Sequence, residues 1–188
     1  MEVTHIQWPE SEDSTSLSKT ARLYLSQPHK MTIQFPSVSF DCFQPSPAKK
    51  FVSLTKNPGV TDGKISTVFH ELKPLQPDDL IGEWDGYILT TGHPFEEELD
   101  TINWFGNTFY STEDVAPLIV ARNGERVPFE DWGRASLREI KYHGVLSTTL
   151  VYDKRPMMVH YRAVKHNMVA GCIESKEWQG KVYFYLTR

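Results

Sequence analysis

From residue 134 to the end, apolar and polar residues alternate in short runs broken by turn-forming residues. Residues 134–143 alternate charged with apolar positions. Residues 145–152 (VLSTTLVY) are β-branched and uncharged, and Asp153-Lys-Arg-Pro156 turns. Strand-like runs follow at 157–164, 168–173 and 182–187, separated by turns at His166-Asn167 and at 175–180. Period-two patterning with β-branched and aromatic residues predicts half-buried strands. Upstream the same pattern predicts strands at 87–91 and 114–120, with 103–109 a tight turn entering a strand. Asn123-Gly124 is the strongest hairpin signal, with Val127 and Phe129 on the return. Short strands spaced about 8–12 residues apart predict an antiparallel meander that closes as a barrel or a sandwich. No βαβ alternation is present, which argues against a Rossmann-type sheet.

Helical period is scarce. Ile65, Val68, Phe69 and Leu72 fall at i, i+3, i+4 and i+7, predicting an amphipathic helix over 64–73 that Pro74 ends. Residues 76–80 form a helical turn with Pro77 near its start, and 96–99 a short helix. Residues 1–30 are polar, with a short helix candidate at 14–25. In 31–43 the alternation of Ile33 and Phe35 shifts phase at Pro36 to Val38, Phe40 and Cys42, as in an extended arm. Residues 44–63 carry Pro45, Pro47 and Pro58 and read as a linker. The expected organisation is an N-terminal extension and linker over 1–63 and a β domain over 64–188.

Gly82-Glu-Trp-Asp-Gly86 stands where the polar, proline-rich region ends and the strands begin. A large ring with glycine two residues away on each side suits a plug around which the chain bends. Gly82, Trp84 and Gly86 are therefore assigned a structural role. In a closed barrel the first and last strands are neighbours, so Arg188 is expected to stack on the Trp84 indole. About eight strands around an aromatic interior would make a small ligand-holding barrel.

Composition narrows the partners. The net charge of −4 supplies no basic face for nucleic acid. The two cysteines, Cys42 and Cys172, form no CxxC pair, which argues against a disulfide framework and a structural zinc site. The N-terminus lacks the pattern of a signal peptide, and no apolar run approaches the roughly 18–20 residues of a membrane span. The expectation is a cytoplasmic protein without membrane or nucleic-acid partners.

Several side chains can carry chemistry, each with a plainer alternative. His93, in a Gly-His-Pro turn, is a candidate general acid or base or a histidine bonded to a backbone carbonyl. Asp153 either takes a proton or caps its own turn. Glu174, after apolar Cys172 and Ile173, becomes a usable acid if an apolar cavity raises its pKa. His160 and Arg162 share one face of their strand, opposite Met157, Val159 and Tyr161. They are solvated if the apolar face is inward, or ligands for a carbonyl or enolate oxygen if the interior is polar. Tyr142, Trp104, Phe109, Arg138 and Met158 are the candidate substrate-binding residues. The seven histidines are scattered, so no metal is expected, and phosphate-loop, zincin and nucleophile-elbow motifs are missing.

Four stretches carry a resemblance: Gly82-Glu-Trp-Asp-Gly86; Thr91-Gly-His-Pro94; Trp104-Phe-Gly106 with Asp114-Val-Ala-Pro-Leu118; and Tyr152-Asp-Lys-Arg-Pro156. Residues 66–188 resemble the GXWXG domain family with the uncharacterised domain that usually follows it. The resemblance implies a lipocalin-like or fatty-acid-binding-protein-like antiparallel barrel, mainly β, with one or two short helices. Asn107 stands where the family usually has lysine, Val159 where it has an acid, and Ile173-Glu174 where it has Met-Asp. Such an altered polar cluster is what a divergent paralogue with a new substrate would show, of the kind found in fungal natural-product pathways. Those pathways recruit similar barrels as cofactor-free cyclases and isomerases. In a haem-binding variant of such barrels, a single axial histidine would be His93, His143 or His160.

The functional expectation is a cofactor-independent enzyme that holds a hydrophobic small molecule in the barrel. It would promote cyclisation, isomerisation or dehydration, with His93, Asp153, Glu174, His160 and Arg162 as catalytic candidates. The alternative is a non-catalytic carrier or sensor of a hydrophobic ligand. A third reading is an interaction module in which 31–43 donates a strand to another protomer, making a homodimer.

Overall fold

The structure, a computed structural model, describes residues 44–188; the expectations for 1–43 lie outside the described residues. Three helices are followed or interrupted by nine strands: α1 Pro47–Leu54, α2 Asp62–Glu71, β1 Gly82–Leu89, α3 Phe95–Thr101, β2 Trp104–Phe109, β3 Val115–Arg122, β4 Glu125–Pro128, β5 Ala135–Tyr142, β6 Val145–Tyr152, β7 Met157–Lys165, β8 Met168–Ser175 and β9 Val182–Thr187. The strands pair in the order β2-β1-β9-β8-β7-β6-β5-β3-β4, and β2 also pairs with β3. That last pairing closes an eight-strand antiparallel barrel, with β4 a hairpin flap on β3. The expected mainly β, lipocalin-like barrel is what the chain forms. Among the described residues, no helix is long and apolar enough to cross a membrane.

Alternation along the strands sends one set of side chains inward. Phe109, Leu150, Val159, Tyr161, Ile173 and Phe184 meet in the interior and are all buried. Their rings pack edge to face: Phe109 with Tyr161 at 5.9 Å and Tyr161 with Phe184 at 6.1 Å between centroids. A Cβ on Gly171 would lie 2.2 Å from the Phe184 ring, so glycine makes room for that ring. The interior is filled by the protein's own side chains.

The other set of side chains does not simply face water. α1 and α2 lie on the outside of the wall, where Phe51, Ile65 and Phe69 cover Val164, Ala170 and Tyr183 in a second buried layer. α1 lies inside the stretch read as a linker. Pro47 opens it, the Ser46 hydroxyl accepts from Lys49 N at 3.4 Å, and Phe51 and Leu54 are buried. Composition suggested a loop there, but two apolar anchors on a capped turn are enough for a helix with a surface to dock on.

Two places interrupt the wall. β6 and β7 pair only from Thr149↔His160 to Val151↔Met158. Beyond that, residues 73–75 fill the gap, with Ala163 N donating to Lys73 O at 2.8 Å and the Thr148 hydroxyl to Leu75 O at 2.6 Å. β1 and β2 pair only over Gly82–Asp85 and Gly106–Phe109. Above this the Trp104 indole lies against Gly86, where a Cβ would come within 2.4 Å of the ring.

The Gly-Trp-Gly motif is itself part of β1. Trp84 is 1% exposed, donates from Nε1 to Leu80 O at 2.7 Å, and carries the Arg188 guanidinium 4.2 Å from its ring centroid. The plug and its stacked arginine are as the strand order implied.

Candidate functional site

The site begins with the alternation of β7. Met157, Val159 and Tyr161 enter the interior, so His160 and Arg162 must leave through the outer face. That face is covered, and the two are 1% and 0% exposed. They are thus neither solvated nor ligands inside the barrel, the two outcomes that strand parity allowed. They sit in a buried polar seam between the wall and the helices.

His160 is held at both ring nitrogens. Its neighbour across the β6–β7 ladder is Thr149, whose hydroxyl is 2.9 Å from Nδ1. Its Nε2 is 3.1 Å from Glu174 Oε1 on β8. A carboxylate only accepts, so Nε2 carries the proton and Nδ1 accepts from Thr149. Burial lowers the pKa of His160, and the Glu174 hydrogen bond opposes this without reversing it. The ring is therefore neutral at pH 7.

Glu174 moves the opposite way from the sequence-based expectation. Burial pushes its pKa up, but the His160 hydrogen bond and the Lys181 ammonium outweigh burial and hold it below the usual range. Its Oε2 is 3.6 Å from Lys181 Nζ. The group is a carboxylate, not the protonated acid that an apolar cavity would have made of it.

Tyr142 completes the cluster. Its ring stacks on His160 with centroids 3.7 Å apart and planes 14° from parallel. Its hydroxyl accepts from Lys181 Nζ and lies 3.7 Å from Cys172 Sγ. Burial pushes the tyrosine pKa far up, and pushes the Cys172 thiol up to about 11. Both stay protonated, and Cys172 is no nucleophile at neutral pH.

Glu174 and Lys181 line a groove of about 500 Å³ beside the β6–β7 and β8–β9 turns, together with Val151, Tyr152, Arg155, Pro156, Met157 and Met158. This lies within the usual range for small-molecule sites, about 300–1,000 Å³. Of the sequence candidates, Glu174, His160, Tyr142 and Met158 meet at or behind this groove. Arg162 occupies the same seam further along β7, bonded through Nη1 to the Ser147 hydroxyl at 2.5 Å and to Tyr161 O at 3.1 Å.

The remaining candidates lie elsewhere. Phe109 packs the interior, and Trp104 fills the wall beside Gly86 with its ring 5.3 Å from Phe184. Arg138 is exposed and makes a forked pair with Glu113 at 2.8 and 2.9 Å. Asp153 is exposed in the β6–β7 turn, where its N–H donates to Arg134 O at 3.0 Å. His93 acts as a bracket: Nδ1 accepts from Phe95 N at 3.1 Å, and Nε2 donates to Gln179 O at 2.9 Å. Among the described residues, no cluster of three or more His, Cys, Asp or Glu is placed to hold a metal.

The loop that carries His93 is organised by Glu96. Its carboxylate accepts from Thr91 N and Oγ1 at 2.9 and 2.8 Å, from His93 N at 3.2 Å and from Gly92 N at 3.3 Å. Burial raises its pKa, but these bonds prevail and the net shift is downward. A carboxyl depressed by folding contributes stability above its unfolded pKa and loses it as pH falls through the folded value. Glu96→Gln is expected to cost about 1–3 kcal/mol at pH 7. That deficit should shrink toward zero below about pH 4, as read from urea melts at both pH values.

Sequence reading missed Lys181 and Thr149, yet both follow from register. Ile173 pairs with Val182 across the β8–β9 hairpin, so Lys181 stands opposite Glu174 on the outer face. Thr149 pairs directly with His160. A hairpin register drawn through the 175–180 turn would have found the first of these.

Two family models cover well over half of the chain: "GXWXG protein" matches residues 67–124, and "Domain of unknown function (DUF4334)" matches residues 133–188. The chain belongs to the GXWXG family, with the DUF4334 domain following. No curated protein matches it. A solved structure described as "protein from Thermomonospora curvata" is similar, with 28% identity and a TM-score of 0.73 over 77% of this chain and 99% of that one. Placed on the fold, the GXWXG part supplies the Trp84 plug and the closing strands. Glu174, His160, Tyr142, Lys181 and Thr149 all belong to the DUF4334 part.

Proposed function

We propose that this GXWXG protein is a cofactor-independent acid–base enzyme that takes an apolar small molecule in the groove over Met158. The observation that carries this reading is one carboxylate. Glu174 is part-exposed at the groove, and the fully buried His160 holds it from behind at 3.1 Å. A base that is ionised, oriented and beside an apolar surface suits proton removal from carbon next to a carbonyl. The Lys181 ammonium, 3.6 Å from Glu174, supplies positive charge for the oxygen that becomes negative. Isomerisation, cyclisation and dehydration of carbonyl compounds each have routes that begin with such a step. The barrel interior has no part in it, in contrast to the expectation of a ligand inside the barrel.

The test is proton exchange in D₂O. The full chain is incubated with apolar ketones bearing an acidic α-hydrogen, without added cofactor, and deuterium incorporation is followed by NMR. Glu174→Gln should reduce the rate about 10²–10⁴-fold with the barrel still folded. Because the base works ionised and its pKa lies below the usual range, the rate should fall only below about pH 4. Binding without exchange, the behaviour of a carrier, would overturn the proposal, as would a folded Glu174→Gln protein with the parent rate.

A further inference from the structure

A second cavity, of about 660 Å³, lies at the other end of β7 and β8 from the groove at Glu174, and the two share no residue. Its walls are the segment from Glu71 to Leu75, the end of β7, the β7–β8 turn and the first turn of α1. Its volume is again in the usual range for small-molecule sites, about 300–1,000 Å³.

Register gathers cations here. Lys73 bridges to Ala163, two residues before Lys165, and β7 has a register shift between Ala163 and Lys165. Arg188 N donates to Asn167 O at 3.2 Å, which brings the β7–β8 turn, with Lys165 and His166, beside the end of β9. Lys73, Lys165, His166 and Arg188 are all exposed, and all line the cavity. Arg188 is held over Trp84 by two carbonyls, Ile81 O at 2.9 Å and Asp79 O at 3.4 Å, neither of which carries a net charge to offset it. Among the described residues, Lys73, Lys165 and Arg188 make no ion pair. Two acids also line the cavity. Glu71 is offset by Lys50 at 2.8 Å, and Asp79 accepts from Gln76 N at 2.9 Å. Three fixed cations therefore face Asp79 alone, in a chain whose net charge is −4. The first turn of α1 adds to this, since it carries no acid and its end of the helix dipole is positive. Like charges crowded at one cleft repel one another until an anion enters.

Below the charged rim the cavity is apolar. Leu72, Leu75, Val164 and Val169 line it, with the Trp84 indole under Arg188. A small inorganic anion would leave this surface in contact with water, and an uncharged apolar molecule would leave the cations unmatched. We infer that this cavity binds a single-chain aliphatic acid, its carboxylate between Lys73 and Lys165 and its chain along Leu72, Leu75 and Val169. The site stands or falls without the proton chemistry proposed at Glu174.

Octanoate, 1-octanol and butyrate are the probes, used with the full chain in titration calorimetry. Octanoate should bind saturably, and more weakly as salt is added. 1-Octanol, which lacks the charge, and butyrate, which lacks most of the chain, should each bind at least about tenfold more weakly. Lys73→Gln with Lys165→Gln should weaken octanoate at least about tenfold and leave 1-octanol unchanged. Glu174→Gln should bind octanoate as the parent does, which separates this site from the groove. Should the double variant not fold, the readout is the Trp84 indole N–H signal of ¹⁵N-labelled parent protein, which should shift on adding octanoate and stay in place on adding butyrate. Several results would each overturn the site. These are no binding of octanoate, equal binding of octanoate and butyrate or of octanoate and 1-octanol, octanoate affinity retained in the double variant or lost in Glu174→Gln, and a Trp84 signal that ignores octanoate.

Discussion

Gly106→Ala is expected to leave no folded barrel. A Cβ at this position would sit 2.0 Å from the Trp84 carbonyl oxygen and 3.0 Å from Asp85 Cα, at a φ of +156°. Both obstacles are backbone, so no rotamer change relieves the clash. The chain could yield only by separating β1 from β2, and their ladder is short, from Gly82↔Phe109 to Asp85↔Gly106. Losing it opens the barrel beside the Trp84 plug. A cost above about 4 kcal/mol is expected, in the range kept for backbone strain and broken cores. Gly59→Ala is the matched control. Its φ is +79° with nothing within 4 Å, so it should lose only the left-handed penalty of about 1–2 kcal/mol. Urea melts followed by far-UV circular dichroism compare the two. If Gly106→Ala unfolds at the same midpoint as Gly59→Ala, the close approach to Trp84 is wrong.

Trp84→Ala should be nearly as damaging. The indole is among the largest fully buried side chains, and removing an aromatic core residue costs about 3–5 kcal/mol. The Leu80 carbonyl also loses its donor, and Arg188 loses the ring it lies on. Trp84→Phe separates the terms. It keeps an aromatic body and should cost about 1–3 kcal/mol, mainly for the orphaned carbonyl and the smaller ring. A double-mutant cycle of Trp84→Leu with Arg188→Ala should show coupling of about 0.5–1 kcal/mol, as expected for a partly exposed cation–π pair. A Trp84→Ala protein within 1 kcal/mol of the parent would remove the plug from the account.

Sequence and structure part company at particular elements. The hairpin at Asn123-Gly124, the strands from 135 onward and the α2 helix were legible, because each is written in local periodicity and turn chemistry. α1 was not, because three prolines in a short stretch resemble a linker until something apolar is there to receive Phe51 and Leu54. β1 begins at Gly82 and not at Tyr87, because pairing with β2 recruits the motif into the ladder. Among the site candidates, Glu174, His160 and Tyr142 were named from residue type and parity. Their meeting place was not legible, since it depends on three ladders, β5–β6, β6–β7 and β7–β8, holding register together. Glu174 shows the same limit in electrostatic form. An apolar cavity would have raised its pKa, but Glu174 is part-exposed on the outer face and the sign of its shift is set by His160 and Lys181 across space.

The amino-acid sequence by itself determined an antiparallel meander of short strands with Trp84 at its start, and made Arg188 the expected neighbour of that ring if the meander closed as a barrel. Period-two patterning and glycine placement are local properties, and they survive without knowledge of the rest. It also determined that His160 and Arg162 share one face of β7. Only the tertiary structure decided what that face meets. A strand has two faces, and alternation says they differ without saying what lies over either one. The docking of α1 and α2 turned the outer face of β7 into a buried polar seam, and the rings of Phe109, Tyr161 and Phe184 packed against one another in the interior.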